Sequence, residues 1–331
     1  MRSAVWAFCF SGRIMRMLDC TYLLEILRRY YPDRESRLAG RQRFDSEYWD
    51  IVRFFGDRGL RPDRVEIVCF GEQWRHKDPL VEGFAFGIAG RLRAEGRLHD
   101  GPLTMAVCQA SWDARPPRLV VCPAHYEDLA GTCFALDLPD DRFGPEARSL
   151  REYYLSRQQT RDYGSSLLCA GLGVCGMLMI GQRGYRQVLT VRRCGHLASL
   201  EDSWGPAAAG AVDWRTDCAT LEELAVKSLT NEVQEELGLR SDEVTITPLA
   251  MAREICRGDK PQVFCLITTD LALEEITRRL TARMQSGGEF DRWRWLPIDA
   301  GSTALEDSGV ELNHEARMNI GLLEEYLVPH P

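Results

Sequence analysis

Apolar residues along this chain come in short runs broken by glycine, proline and aspartate, the pattern of a protein built from both strands and helices. An apolar stretch lies near residues 5–10, and "MLDCTYLLEILRRYY" (17–31) predicts a helix stopped at Pro32. Four runs then predict strands: "RVEIVCF" (64–70), "GFAFGIAGRL" (83–92), "PLTMAVCQASW" (102–112) and "RLVVCPA" (118–124). A polar, proline-containing stretch, "DLPDDRFGPEARSLREYYLSRQQTRDYGSS", follows and places a domain boundary near residue 165. The expected division is 1–165, an α+β N-terminal domain, and 166–331, a second domain.

The second region opens with "LGVCGMLMIG", fit for a buried strand, then a turn at "QRGYR" and "QVLTVRR", which predicts a hairpin with Gly184 in its turn. A loop rich in Gly and Ala, "SWGPAAAGAVDW", leads to a helix. Beyond it "EVTITPLAMAREI" and "PQVFCLITTDL" read as strands, 273–284 as a helix, "RWRWLPI" as an aromatic strand and 313–327 as a last helix.

The helix after the loop carries the unusual chemistry. Thr220 and Glu223 form a capping box that starts it at Leu221, and Gly238 supplies the left-handed stop. At about 100° per residue, Glu223, Lys227, Thr230, Asn231 and Gln234 share a polar side, while Leu221, Ala225, Leu229, Val233 and Leu237 form the apolar arc. Glu232 and Glu236 fall inside that arc and Glu235 at its edge. A solvated charge run explains Glu222 and Glu223 but not Glu232 and Glu236. A carboxylate facing the domain body costs several kcal/mol unless paired or bound to a cation. Three carboxylates at i, i+3 and i+4 suit a hard dication, Mg²⁺ or Mn²⁺. Internal salt bridges to Arg192, Arg193 or Arg253 are the competing explanation.

These residues resemble the Nudix family, whose signature is G-x5-E-x7-R-E-U-x-E-E-x-G-U with U a bulky aliphatic. "NEVQEELGL" matches its second half from Glu232 onward, and Glu223 lies at the spacing of the first glutamate. The preceding "LGV" strand, the hairpin ending in "VRR" and a Trp before a Gly-containing loop extend the resemblance over roughly residues 168–300. Two positions depart: Asp217 stands where the glycine belongs, with Gly210 seven residues earlier, and Asn231 stands where the arginine belongs. The family's arginine braces the metal-binding turn against the first glutamate; Asn231 offers only a neutral donor.

The resemblance implies a Nudix-like α/β/α sandwich with a mixed sheet, and a pyrophosphohydrolase acting on a nucleoside diphosphate derivative. It implies Mg²⁺ or Mn²⁺ on Glu232, Glu235 and Glu236, with Glu232 and Glu235 in the catalytic machinery. Glu289, in "SGGEFDRW", is the expected general base. Arg192, Arg193 and Trp204 are the expected substrate contacts, one of the two arginines reaching a phosphate because strand alternation sends them to opposite faces. The alternatives are a nucleotide-binding or sensor protein of the same fold with weak or no catalysis, and a non-hydrolytic relative such as a diphosphate isomerase.

Charge and composition narrow the partners. There are 41 basic and 49 acidic residues, a net charge of -8, and the basic residues are scattered, which disfavours nucleic acid and leaves open a local basic pocket for phosphates; a small nucleotide or diphosphate substrate is the partner the resemblance implies. Many of the twelve cysteines sit singly in apolar runs, and no CxxC pair exists, as expected of free thiols of a reducing cytoplasm. The short apolar opening lacks a signal peptide's exit and no run of about 18 apolar residues follows, so no membrane partner is expected. A homodimer stays open. Trp214 reads as packing, His196 as a local hydrogen-bonding residue, and "GLGVCG" precedes a strand rather than the helix a dinucleotide loop needs.

Overall fold

The computed structural model describes residues 25–26, 28–31, 48–54, 59–99, 101–157, 162–182, 185–194, 203–298 and 309–328. The apolar stretch at 5–10, Gly184 and His196 lie outside the described residues; of the helix expected over 17–31, residues 25–26 and 28–30 are helical. In chain order the elements are β1 (Trp49–Arg53), β2 (Glu66–Cys69), α1 (Pro79–Ala94), β3 (Thr104–Ser111), β4 (Arg118–Ala124), α2 (Tyr126–Thr132), α3 (Leu150–Arg157), β5 (Gly173–Gln182), β6 (Tyr185–Arg193), β7 (Trp204–Gly205), β8 (Ala208–Ala211), α4 (Leu221–Glu232), β9 (Val244–Glu254), β10 (Lys260–Thr269), α5 (Leu273–Gln285), β11 (Phe290–Pro297) and α6 (His314–Leu327).

Eight strands make one mixed sheet in the order β1-β9-β10-β5-β6-β11, with β7 on β6 and β8 on β5. β10 and β5 run parallel, Val263 facing Val174, and the other pairs are antiparallel. One face packs on α4 and α5 through Leu221, Leu229, Val233, Ile276 and Leu280; the other packs on α6 through Ala316, Ile320 and Leu323. Helices on both faces of a mixed sheet make the α/β/α arrangement expected from the sequence.

A second sheet, β2-β4-β3, contributes Ile67, Met105, Val107 and Val121 to the α4 core, while its far side packs on α1, α2 and α3. Backbone bonds stitch it to the rest: Met105 N–H to Val212 O at 2.7 Å, Leu172 N–H to Met105 O at 2.7 Å, Ile67 N–H to Ala219 O at 3.0 Å and Leu221 N–H to Val65 O at 2.9 Å. Strand β1 also comes from before residue 165, with Ile51 opposite Ala252 at the edge of the large sheet.

Three expectations need correction. Residues 83–92 are not a strand but the middle of α1, which starts at Pro79 with the Asp78 side chain accepting from Leu80 N–H. Val81, Phe84, Ala85, Ile88 and Leu92 are buried at helical spacing; the glycines at 83, 87 and 90 read as strand punctuation, yet in the helix they are tolerated. The polar stretch at 137–166 contains α3, whose Arg151 is buried in a two-pronged pair with Asp137 at 2.6 and 2.8 Å. The Gly- and Ala-rich segment contains β7 and β8, small residues that let α4 approach the sheet closely.

Helix α2 is fixed against α1 by Gly131. A Cβ there would lie 2.7 Å from the Ala85 carbonyl oxygen and 2.8 Å from its Cα, so only glycine allows the two helix backbones to meet. Cys108 and Cys122, on paired strands β3 and β4, bring their sulfurs to 2.7 Å where the register shifts. No helix among the described residues is long and apolar enough to cross a membrane.

Candidate active site

Helix α4 begins as its sequence dictates. Thr220 accepts from Glu223 N–H at 3.3 Å, and the Glu223 carboxylate takes Ala219 N–H at 2.8 Å. Its end is less ordinary: residues Val233–Leu237 form a π turn before Gly238 closes it with φ 72° and ψ 22°. Such turns recur at functional sites because they re-aim side chains without ending the helix. Leu221, Leu229, Val233 and Leu237 are wholly buried, which fixes the rotation of the helix and carries the glutamates with it.

Glu236 is only 6 % exposed, Glu232 is half-buried and Glu235 is exposed. Ala209 N–H donates to the Glu236 carboxylate, yet its Oε1 is buried with no partner. Glu232 lies against β8: a Cβ at Gly210 would meet its Oε1 at 2.1 Å. Burial, reinforced by Glu235, Glu289 and Asp213, pushes the Glu232 carboxyl up to about 7, and burial holds Glu236 well above the ordinary range.

The arginines divide as strand alternation requires. Arg193 is on the glutamates' side, where it draws both carboxyls downward and bonds Glu289 at 3.5 Å. Arg192 bonds Asp291 at 3.2 Å, and Arg253 is 3.7 Å from Asp50. Among the described residues, none of Glu232, Glu235 and Glu236 forms an ion pair with any of the three. Trp204 pairs with Arg192 across β7 and β6, packs into the α6 core and lies 5.8 Å beneath the Arg294 guanidinium. The fold thus gathers Glu232, Glu235, Glu236, Glu289 and Arg193, and leaves Arg192 and Trp204 on the opposite face.

The two departures from the motif have local explanations. Asp217 accepts from Arg215 Nε at 2.9 Å and Lys227 Nζ at 3.2 Å, and those hydrogen bonds lower its carboxyl to about 2. It anchors the lead-in to α4, while Gly210 supplies the space beside Glu232. Asn231 is exposed, and Glu223 is held by backbone instead.

Sequence reasoning missed three participants. Asp213 is one; an isolated aspartate beside tryptophan carries no pattern. Tyr126 is another: α2 brings it from the first region to a small cavity it shares with Arg193, Gly210, Arg257 and Lys260. The third is a buried set, Glu254, His314 and Glu315, drawn together from two distant segments, the end of β9 and the start of α6. Arg257 sits between its carboxylates, Nε 3.1 Å from Glu254 and Nη1 3.1 Å from Glu315, while His314 Nε2 is 2.6 Å from Glu254. A guanidinium occupies the place a metal ion would take. Among the described residues the oxygens of Glu232, Glu235 and Glu236 do not come within 4.8 Å of one another as a set, but the buried Oε1 of Glu236 lacks a partner, and a cation would supply one.

No family model and no curated protein matches the sequence. Solved structures match over about half of it. DR0079 from Deinococcus radiodurans is 16 % identical, over 48 % of this chain and 83 % of that one, with a TM-score of 0.31. An Ap4A hydrolase from C. elegans is 15 % identical, over 47 % and 95 %, at 0.29. The Nudix domain of Shewanella oneidensis NrtR, solved with ADP ribose, is 16 % identical, over 53 % and 97 %, at 0.31. The chain resembles the Nudix family, and TM-scores this low leave the weight of that resemblance on the residues of α4 themselves.

Proposed function

We propose that this chain is a Nudix-type hydrolase, dependent on Mg²⁺ or Mn²⁺, that cleaves a diphosphate linkage in a nucleoside diphosphate derivative. The observation that carries the reading is the pair Glu232 and Glu236, turned into the body of the domain without an arginine partner beside a third carboxylate, Glu235. Buried carboxylates so placed cost several kcal/mol unless a cation or a proton neutralises them.

Glu232, Glu235 and Glu236 would hold the ion. When bound, it neutralises the diphosphate and favours ionisation of a coordinated water. The rest of the chemistry falls to the chain. Gly210 keeps the Glu232 carboxylate in place, and Ala209 N–H orients Glu236. Arg193 offers a guanidinium to a phosphate oxygen. Glu289, half exposed at its loop and restrained by Arg193, accepts the proton of the attacking water.

Incubation with a panel of nucleoside di- and triphosphates, dinucleotides, nucleotide sugars and ADP-ribose under Mg²⁺ and Mn²⁺ tests this. Metal-dependent release of a mononucleotide or phosphate is expected; absence of turnover across the panel would sink it. One observation favours a second reading, a nucleotide-binding protein with little catalysis: Asn231 does not brace Glu223, so the metal-binding turn has lost a charged strut. Tight nucleotide binding without consumption would select that reading.

A further inference from the structure

The cavity under Tyr126 is not accounted for by the carboxylate site, although the two share Gly210 and Arg193. Its volume is ≈ 70 Å³. A cavity of about 150 Å³ is what a benzene ring occupies, so this one has room for a tetrahedral oxyanion and none for a base or sugar ring. Three cationic side chains, Arg193, Arg257 and Lys260, and one carboxylate, Glu315, line it, so the cations outnumber the acid.

Two of the three are built in and incompletely matched. Lys260 is 5 % exposed, and its ammonium donates to the amide oxygen of Gln262; among the described residues it has no carboxylate in ion-pair contact. A Cβ at Gly173 would fall 2.6 Å from Lys260 Nζ and 2.0 Å from Gln262 Oε1, so glycine keeps this corner open. Arg257 is 1 % exposed; two of its nitrogens are taken up by Glu254 and Glu315, while its Nη2 is buried without a partner. A buried ammonium with one neutral acceptor is costly, and an anion in hydrogen-bonding reach removes that cost.

We propose that this cavity receives one compact anion, the free terminal phosphoryl group of the substrate, so that the enzyme selects diphosphates ending in an unsubstituted phosphate. The proposal rests on the hydrolase reading and names its substrate class. Gly210 touches Glu232 and also lines the cavity, and Arg193 acts on Glu232 and also lines the cavity, so a phosphate chain passing these two residues joins the metal-binding carboxylates to the cavity. Helix α2 sets the selection. Tyr126, Leu129 and Phe134 wall the cavity where a second nucleoside or sugar would need to continue, and Gly131 locks that helix to α1. Burial lowers the Lys260 ammonium and raises the Tyr126 phenol; the charge of a bound phosphate offsets the first, and the phenol, kept protonated, is a hydrogen-bond donor to it.

The test uses the full chain, with inorganic phosphate as probe, in EDTA so that no divalent ion contributes. Calorimetry should show phosphate binding to the wild type that weakens at least tenfold in Lys260→Met, with Mn²⁺ binding of both proteins, measured separately, unchanged. Should Lys260→Met fail to fold, Tyr126→Phe serves, with an expected loss of about threefold. In the panel, nucleoside di- and triphosphates should exceed dinucleotides and nucleotide sugars by tenfold or more in kcat/KM, and Lys260→Met should erase that preference. Phosphate binding that is absent, or indifferent to both variants, overturns the proposal, as does a preference for dinucleotides. Hydrolysis with no such preference leaves the hydrolase reading standing and removes this one. Phosphate binding through Lys260 without Mn²⁺ binding or turnover removes the hydrolase reading and leaves the anion site.

Discussion

The carboxylate of Glu232 rests on the Cα of Gly210, so closely that a Cβ at residue 210 would come within 2.1 Å of Oε1 and 2.3 Å of Cδ. The contact joins a half-buried acid on α4 to a short strand paired with β5, and no side chain can enter between them. Gly210→Ala should therefore expel Glu232 from its position. The expected result is a loss of about 10²-fold in turnover, on the order of 3 kcal/mol of barrier, and weaker Mn²⁺ binding. A melting temperature close to wild type in EDTA would separate this from misfolding; unchanged turnover would contradict the role given to Glu232.

Glu235 is the exposed member of the three, so its charge can be removed with little disturbance to packing. Glu235→Gln should weaken Mg²⁺ binding and lower turnover by about 10²-fold. In EDTA the variant should melt at or above the wild type, because three neighbouring carboxylates repel one another without a cation. Thermal melts of both proteins, with EDTA and with excess Mg²⁺, check this. A wild type indifferent to Mg²⁺ together with a large drop in the variant would speak for a structural carboxylate.

The raised carboxyl of Glu232 ties metal-free stability to pH. Below its ordinary value of 4.5 the folded and unfolded chains both hold the proton. Between there and about 7 the unfolded chain has released it and the folded chain has not, so stability falls as pH rises, and the loss is complete above the folded value. At about 1.4 kcal/mol per pH step the contribution is at most about 3.5 kcal/mol. Melts in EDTA from pH 5 to 8 should show the decline, Glu232→Gln should reduce it, and saturating Mg²⁺ should flatten it. A melting temperature that rises through this range in EDTA and falls in none of the three conditions would refute the assignment.

Gly131→Ala tests the seating of α2. The added methyl meets Ala85 backbone in a closed contact, and overpacking of this kind costs about 1–3 kcal/mol. Chemical denaturation should show that loss. Because α2 carries Tyr126, the variant should also bind inorganic phosphate more weakly while binding Mn²⁺ as the wild type does.

The carboxylate helix was legible because its signals are local. Thr220 and Gly238 mark its ends through backbone hydrogen-bond needs of single residues, and the placement of Glu232 and Glu236 among Leu229, Val233 and Leu237 follows from helical period alone. The strands at 118–124, 173–182 and 260–269 were legible for the same reason, as apolar runs bounded by turn residues. Residues 83–92 were not: three glycines in an apolar run satisfy strand and helix patterns alike, and the deciding cues, Asp78 and Pro79, lie outside the run.

What the sequence determined by itself was therefore the helix and its three inward or edge carboxylates, since these depend on spacing within a few turns of one element. Tertiary structure alone decided which arginine joins them, because Arg192 and Arg193 differ only by the face of β6 on which each emerges. It alone brought Glu289 and Asp213 to the cluster, set Tyr126 beside Lys260 and Arg257, and placed Arg257 between Glu254 and Glu315. Those contacts join segments far apart in the chain, and they exist only because backbone bonds such as Met105 to Val212 and a glycine-sized gap at Gly131 hold the two sheets and helix α2 in one register. Charge, burial and reach act through space, and residue spacing carries no record of them.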